Sequence, residues 1–166
     1  MSKIVGFGSE SFSVAIYIAN RPGFAQYPEL AKLKPLEPGE IEYIVTNTSN
    51  HWRKVFNVYA KFLSLLRSRK NSAVQDWRNY RDNHLLQSHS TEALLFSAPE
   101  FDRPGVVHIV AGKTHAAAMG LESVVWLDNS FAVDVKKALI ICPYLDYRQL
   151  SDNRIERLIE LVLKLE

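Results

Sequence analysis

The sequence predicts an α/β domain: a three-layer sandwich around a central, mostly parallel sheet. Short apolar runs alternate with helical segments along 166 residues, which is typical of parallel strands connected by helices. Three of these runs end in polar loops, at residues 19–24, 111–114 and 142–144. Because the carboxyl ends of parallel strands meet at one edge of a sheet, we expect these loops to line one ligand-binding cleft.

Composition indicates one globular domain over residues 1–166, with residues 1–11 as a flexible or capping N-terminus. The chain is 47% hydrophobic, and 20 Lys and Arg against 18 Asp and Glu leave a net charge of +2, which identifies no polyanionic partner. The single cysteine, Cys142, excludes an internal disulfide and a cysteine metal cluster, and fits the reducing cytoplasm. We expect no signal peptide and no membrane contact, since no apolar run approaches about 20 residues.

The first half of the chain predicts two strands around a long loop. Residues 14–18 form a buried strand. Residues 20–40, rich in proline and glycine, form a structured loop with a helical turn at 29–33. Residues 41–45 form a second, short strand.

Helical spacing of apolar residues predicts a helix from Asn50 to about Arg69 and a second over residues 73–87. A short helix over 114–119 ends at Gly120, and the last helix starts with a capping box of Asn153 and Glu156. Further apolar runs are predicted to be buried strands: residues 94–96, 106–110, 124–127 and 139–141.

The Gly112-Lys113-Thr114 segment resembles the end of a nucleotide-binding phosphate loop. That loop requires a glycine five residues before Gly112, where this chain has Val107, so we reject nucleoside triphosphate binding here. A tight turn from strand to helix is the favoured interpretation, although a lysine at a helix start can attract a phosphate.

The five histidines have no metal-ligand spacing, so we expect no metal and no cofactor. His108 lies within an apolar strand and is expected in the core. His51 and His115 lie at helix starts and could face the cleft. A serine or cysteine nucleophile is not indicated, because the chain lacks a Gly-x-Ser-x-Gly segment.

Cations decorate the long helix from Arg53 to Lys70, and Arg78 and Arg81 follow. Cations interleaved with aromatic residues suit a single nucleic-acid strand. A solvated helix face above an apolar stripe explains the same pattern, and both interpretations stay open for the cations.

The order of these segments resembles the uracil-DNA glycosylase superfamily, nearest its mismatch-specific branch. Its Asn-Pro-Gly motif is similar to residues 20–23, with Arg21 inserted, and its Asn-x-x-Trp-Lys helix start is similar to residues 50–54. Its Gly-Lys-x-Ala turn is similar to residues 112–116. The family's His-Pro-Ser or Asn-Pro-Ser loop corresponds to residues 143–151, which lack the His or Asn.

The resemblance implies a glycosylase-like fold and a site for a nucleobase outside its stack. Asn20 would orient the attacking water, Phe24 or Tyr27 would stack on the base, and Tyr144 or Arg148 would replace the missing donor. The other expected binding residues are His51, Lys113 and His115.

Three functions remain open. The first is a diverged glycosylase-like protein that binds single-stranded or damaged DNA, another nucleic acid, or a nucleotide. The second is an active DNA glycosylase, and the third is a non-enzymatic protein-interaction domain. The oligomeric state is not predicted.

Overall fold

A computed structural model describes residues 3–71 and 76–166. Within them the strands are β1 (Gly6–Gly8), β2 (Val14–Tyr17), β3 (Leu33–Lys34), β4 (Glu92–Leu95), β5 (Val107–Ala111), β6 (Val125–Trp126), β7 (Ala132–Asp134) and β8 (Leu139–Cys142). The α-helices are α1 (Glu40–Asn47), α2 (Asn50–Asn71), α3 (Trp77–Asn83), α4 (Lys113–Ala118) and α5 (Asp152–Leu165).

The strands form one mixed sheet in the order β3-β1-β4-β2-β5-β8-β7-β6. Its centre, β4-β2-β5-β8, is parallel throughout. Strand β1 pairs antiparallel with β4, and β7 pairs antiparallel with β8 and β6. The prediction that β2, β5 and β8 lie parallel in one sheet, with their carboxyl ends at one edge, is therefore confirmed.

Helices cover both faces of the sheet, unequally. Residues of α1, α2, α3 and α5 pack with alternate strand residues in the larger core. The other face packs against α4 and the loops around Phe101 and Leu121. The α/β architecture predicted from the sequence is confirmed, and the helix predicted from Asn50 is confirmed as α2.

The thinner face buries a polar pair at its centre. The hydroxyl of Tyr17 lies 2.6 Å from Nδ1 of His108, and the ring of Phe101 covers His108 edge-on at 5.2 Å. Nε2 of His108 has no hydrogen-bond partner among the described residues. Burial lowers the pKa of His108 to about 4 and raises the pKa of Tyr17, so both are neutral near pH 7. The prediction that His108 is a core residue is correct.

The N-terminal segment differs from the prediction of a flexible or capping stretch, because Gly6–Gly8 is a buried strand inside the sheet. A Cβ on Gly8 would lie 2.5 Å from the carbonyl oxygen of Glu92, and a Cβ on Gly6 would lie closer still to that of Leu94. Glycine therefore allows β1 to lie against the backbone of β4.

The predicted strand at 41–45 is wrong, since these residues belong to helix α1. Ile41 and Ile44 are buried at helical spacing. The side chain of Glu40 accepts a hydrogen bond from the backbone N–H of Glu37 and another from the hydroxyl of Tyr27. These bonds fix the first turn of the helix. The apolar pattern of residues 41–45 does not indicate them.

Other boundaries shift. Strand β6 is exposed at the sheet edge rather than buried, because no further strand covers it in the described part of the chain. Strand β7 was not predicted. The helix predicted over 73–87 is observed as α3, Trp77–Asn83, and residues 72–75 lie outside the described residues. Helix α5 is capped at Ser151 rather than Asn153.

Candidate functional site

A cavity of about 630 Å³ lies where β2, β5 and β8 end. After β2 the chain crosses to the β4 side of the sheet, and after β5 it crosses to the β8 side. The connections that follow these two neighbouring strands therefore run in opposite directions. Such a switch point is where open α/β sheets bind ligands. The walls comprise Ala19, Asn20, Ala111–His115, Ala118, Asn129, Ser130, Pro143, Tyr144, Arg148, Gln149 and Arg154.

Tyr144 is the centre of a hydrogen-bonded group in this cleft. Its hydroxyl lies 2.7 Å from Nε2 of His51 and accepts a hydrogen bond of 3.4 Å from the amide nitrogen of Asn20. Both bonds are satisfied when Tyr144 donates to His51, which then carries its proton on Nδ1. Burial raises the pKa of Tyr144, so the phenol keeps its proton at neutral pH.

His51 supports Tyr144 from behind rather than lining the cavity. The two rings stack at 5.5 Å between centroids with 15° between their planes. Burial lowers the pKa of His51, and the charge of Asp146 opposes this shift only in part. His51 therefore acts as a neutral acceptor that holds the phenol in place.

Asn20 lines the cavity and uses one of its two side-chain polar atoms within the protein. Its amide nitrogen is used by Tyr144, and no described residue bonds its side-chain oxygen. That oxygen is free to accept a hydrogen bond from a ligand or a water. The placement agrees with the role that the resemblance implies for Asn20, without testing it.

Among the described residues, three cations and no carboxylate line the cavity. The cations are Lys113 from α4, Arg148 from the loop after β8, and Arg154 from α5. None of the three forms a salt bridge with any residue in ranges 3–71 and 76–166. Arg154 is directed by a hydrogen bond of 2.7 Å to the carbonyl oxygen of Gln149.

His115 adds a neutral polar group to the cavity wall. Its Nε2 atom is buried and has no hydrogen-bond partner in the described part of the protein. Burial lowers the pKa of His115, which favours the uncharged ring. An unsatisfied buried nitrogen costs free energy, and this one is enclosed by protein atoms rather than open to the cavity.

The cavity brings together Asn20, Lys113, His115, Tyr144 and Arg148 of the predicted site residues. The structure places the two predicted stacking residues elsewhere. Phe24 is half-buried against Tyr27 and Tyr43, each at 5.3 Å.

Tyr27 is buried in the core, and its hydroxyl donates to Glu40 at 2.7 Å. Neither ring is available to a base in this cleft.

Several lining residues were not predicted. Asn129 and Ser130 reach the cavity from the turn of the β6–β7 hairpin, which was not predicted because its second strand, β7, has only three residues. The Asp128-Asn129-Ser130 turn signal could have indicated it. Cys142 is buried next to the cavity, and burial raises the pKa of its thiol, so it is an inert core residue.

The basic run of α2 is largely neutralised by neighbouring carboxylates. The pairs are Lys54–Asp146, Lys61–Asp152, Arg67–Glu92, Arg69–Glu156 and Lys70–Glu166, and Arg78 and Arg81 pair with Asp76 and Asp82. These cations form a compensated helix face. The three cations of the cleft differ from them, because none of the three forms a salt bridge with a described residue.

Among the described residues, no three His, Cys, Asp or Glu side chains come together so that they could hold a metal ion. No helix in ranges 3–71 and 76–166 has both the length and the apolar character needed to cross a bilayer.

The family of unknown function DUF6942 matches residues 5–163. No curated protein and no solved structure matches the chain.

Proposed function

We infer the function of this chain, which belongs to the DUF6942 family of unknown function, from the chemistry of its cleft. The protein binds a nucleotide, free or as a unit of a nucleic acid, at the carboxyl ends of β2, β5 and β8. The observation that supports this most is the set of three unpaired cations in a cavity without a carboxylate.

Lys113, Arg148 and Arg154 supply the phosphate-binding half of the site. A concave site lined by one sign of charge concentrates its field, and its low-dielectric walls strengthen the attraction for an anion. Arginine adds bidentate hydrogen bonds that suit phosphate oxygens. Because no lining carboxylate repels a phosphate, a dianionic ligand is favoured over a neutral one.

The remaining wall suits a base and a sugar. The ring of Tyr144 and the adjacent Pro143 offer an apolar surface, and Asn20 and His115 offer neutral polar atoms near it. Uncharged donors and acceptors can read the edge of a nucleobase without competing for the phosphate. A volume of about 630 Å³ falls within the usual range for small-molecule sites.

Isothermal titration at low salt with a nucleoside, its 5′-monophosphate and inorganic phosphate tests the proposal. We expect the monophosphate to bind most tightly. Arg148→Ala and Lys113→Ala should weaken it, whereas Arg69→Ala, which removes a cation paired with Glu156, should not. Absence of binding by all three probes, or equal binding by all variants, would contradict the proposal and favour a protein-interaction role.

A second function, hydrolysis of an N-glycosidic bond, is supported by the position of Asn20. Its free amide oxygen could orient a water whose oxygen bonds to C1′ of the sugar while the bond from C1′ to the base breaks. The electron pair of that bond moves to the base nitrogen, and the proton that the water releases passes through solvent to the departing base. Arg148 could stabilise the negative charge on the leaving base, whereas the Tyr144 hydroxyl already donates its proton to His51.

Excision of uracil, hypoxanthine or an alkylated base from labelled oligonucleotides tests this second function. Wild-type protein is compared with Asn20→Ala, whose side chain is exposed and whose loss should leave the fold intact. Release by the wild type alone supports catalysis. If both proteins release the base equally, or if neither folded protein releases it, Asn20 is not a catalytic residue.

A further inference from the structure

We propose that the ligand is a single nucleic-acid strand of at least three nucleotides, whose outer bases stack on Trp126 and Tyr147 beside the cleft. This inference rests on the proposed function and extends it from one nucleotide to a strand. It is carried by two exposed aromatic rings that each contact a cation of the cavity wall.

Trp126 borders the cleft on the side of the β6–β7 hairpin. Its side chain is 44% exposed, and Nζ of Lys113 lies 5.0 Å from the centre of its ring. Lys113 also lines the cavity, as do Asn129 and Ser130 of the hairpin turn. The ring is thus an apolar surface next to a phosphate-binding lysine.

Tyr147 repeats this arrangement on the loop after β8. Its side chain is 51% exposed, and the guanidinium carbon of Arg148 lies 5.5 Å from the centre of its ring. Arg148 lines the cavity, and Nζ of Lys54 lies 5.5 Å from the same ring. Each aromatic platform therefore stands beside a cation that faces the central nucleotide.

A second groove continues from Tyr147 along α2. It has a volume of about 380 Å³ and is lined by Asn50, Arg53, Lys54, Asn57, Val58, Lys61, Trp77 and Tyr147. None of these described lining residues is a carboxylate, and Lys54 and Lys61 pair with Asp146 and Asp152 outside the groove. Arg53 forms no salt bridge with any described residue, so the backbone of a strand leaving Tyr147 would meet one uncompensated positive charge.

Alternating cations and exposed rings favour a single strand over a duplex. An unpaired base offers its face to an aromatic ring, whereas bases in a duplex are already stacked on one another. In proteins that bind single-stranded nucleic acids, removing one base-stacking ring lowers the affinity by about 5- to 150-fold. The number of nucleotides bound should be small, because Trp126 and Tyr147 each lie next to a cation that lines the same cavity.

Fluorescence anisotropy at low salt with labelled thymidine monophosphate, (dT)3, (dT)6, (rU)6 and a matched hexamer duplex tests the inference. We expect affinity to rise from the mononucleotide to the hexamer. Trp126→Ala and Tyr147→Ala should each weaken hexamer binding by about 5- to 150-fold and leave mononucleotide binding unchanged. Tyr43→Ala is the matched control, since Tyr43 is also 51% exposed but packs against Phe24 away from the cleft.

The outcomes separate the two proposals. A hexamer that binds no better than the mononucleotide, or that binds the two variants as tightly as the wild type, overturns the strand inference while nucleotide binding stands. A duplex that binds as tightly as the single strand overturns it as well. If neither mononucleotide nor oligomers bind, both proposals fail. Length-dependent binding of either hexamer supports the inference, and the tighter one identifies the sugar.

Discussion

The carboxylate of Glu92, fully buried in β4, lies 2.8 Å from the guanidinium of Arg67 on α2. The same carboxylate accepts a hydrogen bond from the hydroxyl of Tyr80 on α3 and another from the backbone N–H of Leu86. One buried charge therefore connects two helices and a loop to the parallel centre of the sheet. These three partners lie within 2.9 Å of the carboxylate oxygens. Such pairing offsets the cost of removing a carboxylate from water.

Glu92→Ala should lower the free energy of unfolding by about 3–5 kcal/mol, because the Tyr80 hydroxyl and the buried N–H of Leu86 lose their acceptor and Arg67 loses its charge partner. Urea denaturation measures the change. Glu122→Ala, at an exposed position, is the control and should stay within about 0.5 kcal/mol of the wild type. A small effect at Glu92 would show that water replaces the carboxylate.

Gly8→Ala should lower the free energy of unfolding by about 1–3 kcal/mol, because the added Cβ meets the β4 backbone and the residue has a φ of +133°. Thermal and urea unfolding measure this loss. Gly23→Ala serves as the control, since a Cβ there meets nothing within 4 Å. Equal stability of the two variants would mean that β1 can move away from β4 at little cost.

Acid should destabilise the protein through His108. Its pKa is lowered to about 4 in the folded state, so the unfolded chain takes up the proton first as the pH falls. The stabilising contribution is complete above the unfolded pKa of about 6.5 and is lost as the pH falls through 4, up to about 3 kcal/mol.

Urea titrations at pH 7.5, 5.5 and 4.0 compare the wild type with His108→Gln. At pH 7.5 the variant should be less stable than the wild type, since it loses the bond between Tyr17 and His108. Between pH 7.5 and 4.0 its free energy of unfolding should fall by less than that of the wild type. His115→Gln, at a less buried ring, should retain most of the wild-type pH dependence. If the free energy of unfolding falls equally with pH in the wild type and in His108→Gln, other groups cause the acid sensitivity.

Salt dependence should distinguish the cations of the cleft from those of α2. Each phosphate contact to a single strand contributes about 0.7 to the slope of log affinity against log salt. Lys113→Ala and Arg148→Ala should each reduce the slope for (dT)6 by about that amount. Lys70→Ala, which removes a cation paired with Glu166, should leave it unchanged. The reverse ranking would move the binding surface from the cleft to the C-terminal end of α2, where Lys70 lies.

The parallel centre of the sheet could be predicted from the sequence because its strands are short, apolar and bounded by turn residues. Strands β2, β5 and β8 were each placed to within about one residue, and so were the loops that line the cleft. Five of the eight predicted site residues line the cavity for this reason, since strand direction alone brings their loops together.

The missed elements depend on contacts that are distant in sequence. The short strand β1 is held by its pairing with β4, and the short strand β7 by its pairing with β8. Residues 41–45 have an apolar pattern that fits a strand or a helix, and the hydrogen bonds of Glu40 decide between them. Local pattern also cannot show that Tyr27 is buried with its hydroxyl occupied.

The pairing of β2 constrains the order in which the chain can fold. Val14 aligns with Glu92 on one side and with Val107 on the other, so neither neighbour of this fully buried strand is close in sequence. On the ribosome, β2 must wait for more than half of the chain before either partner emerges, whereas α2 can form from local contacts alone. A nascent chain that ends before β4 therefore exposes an unpaired apolar strand, and truncation there should yield aggregation rather than a smaller folded unit.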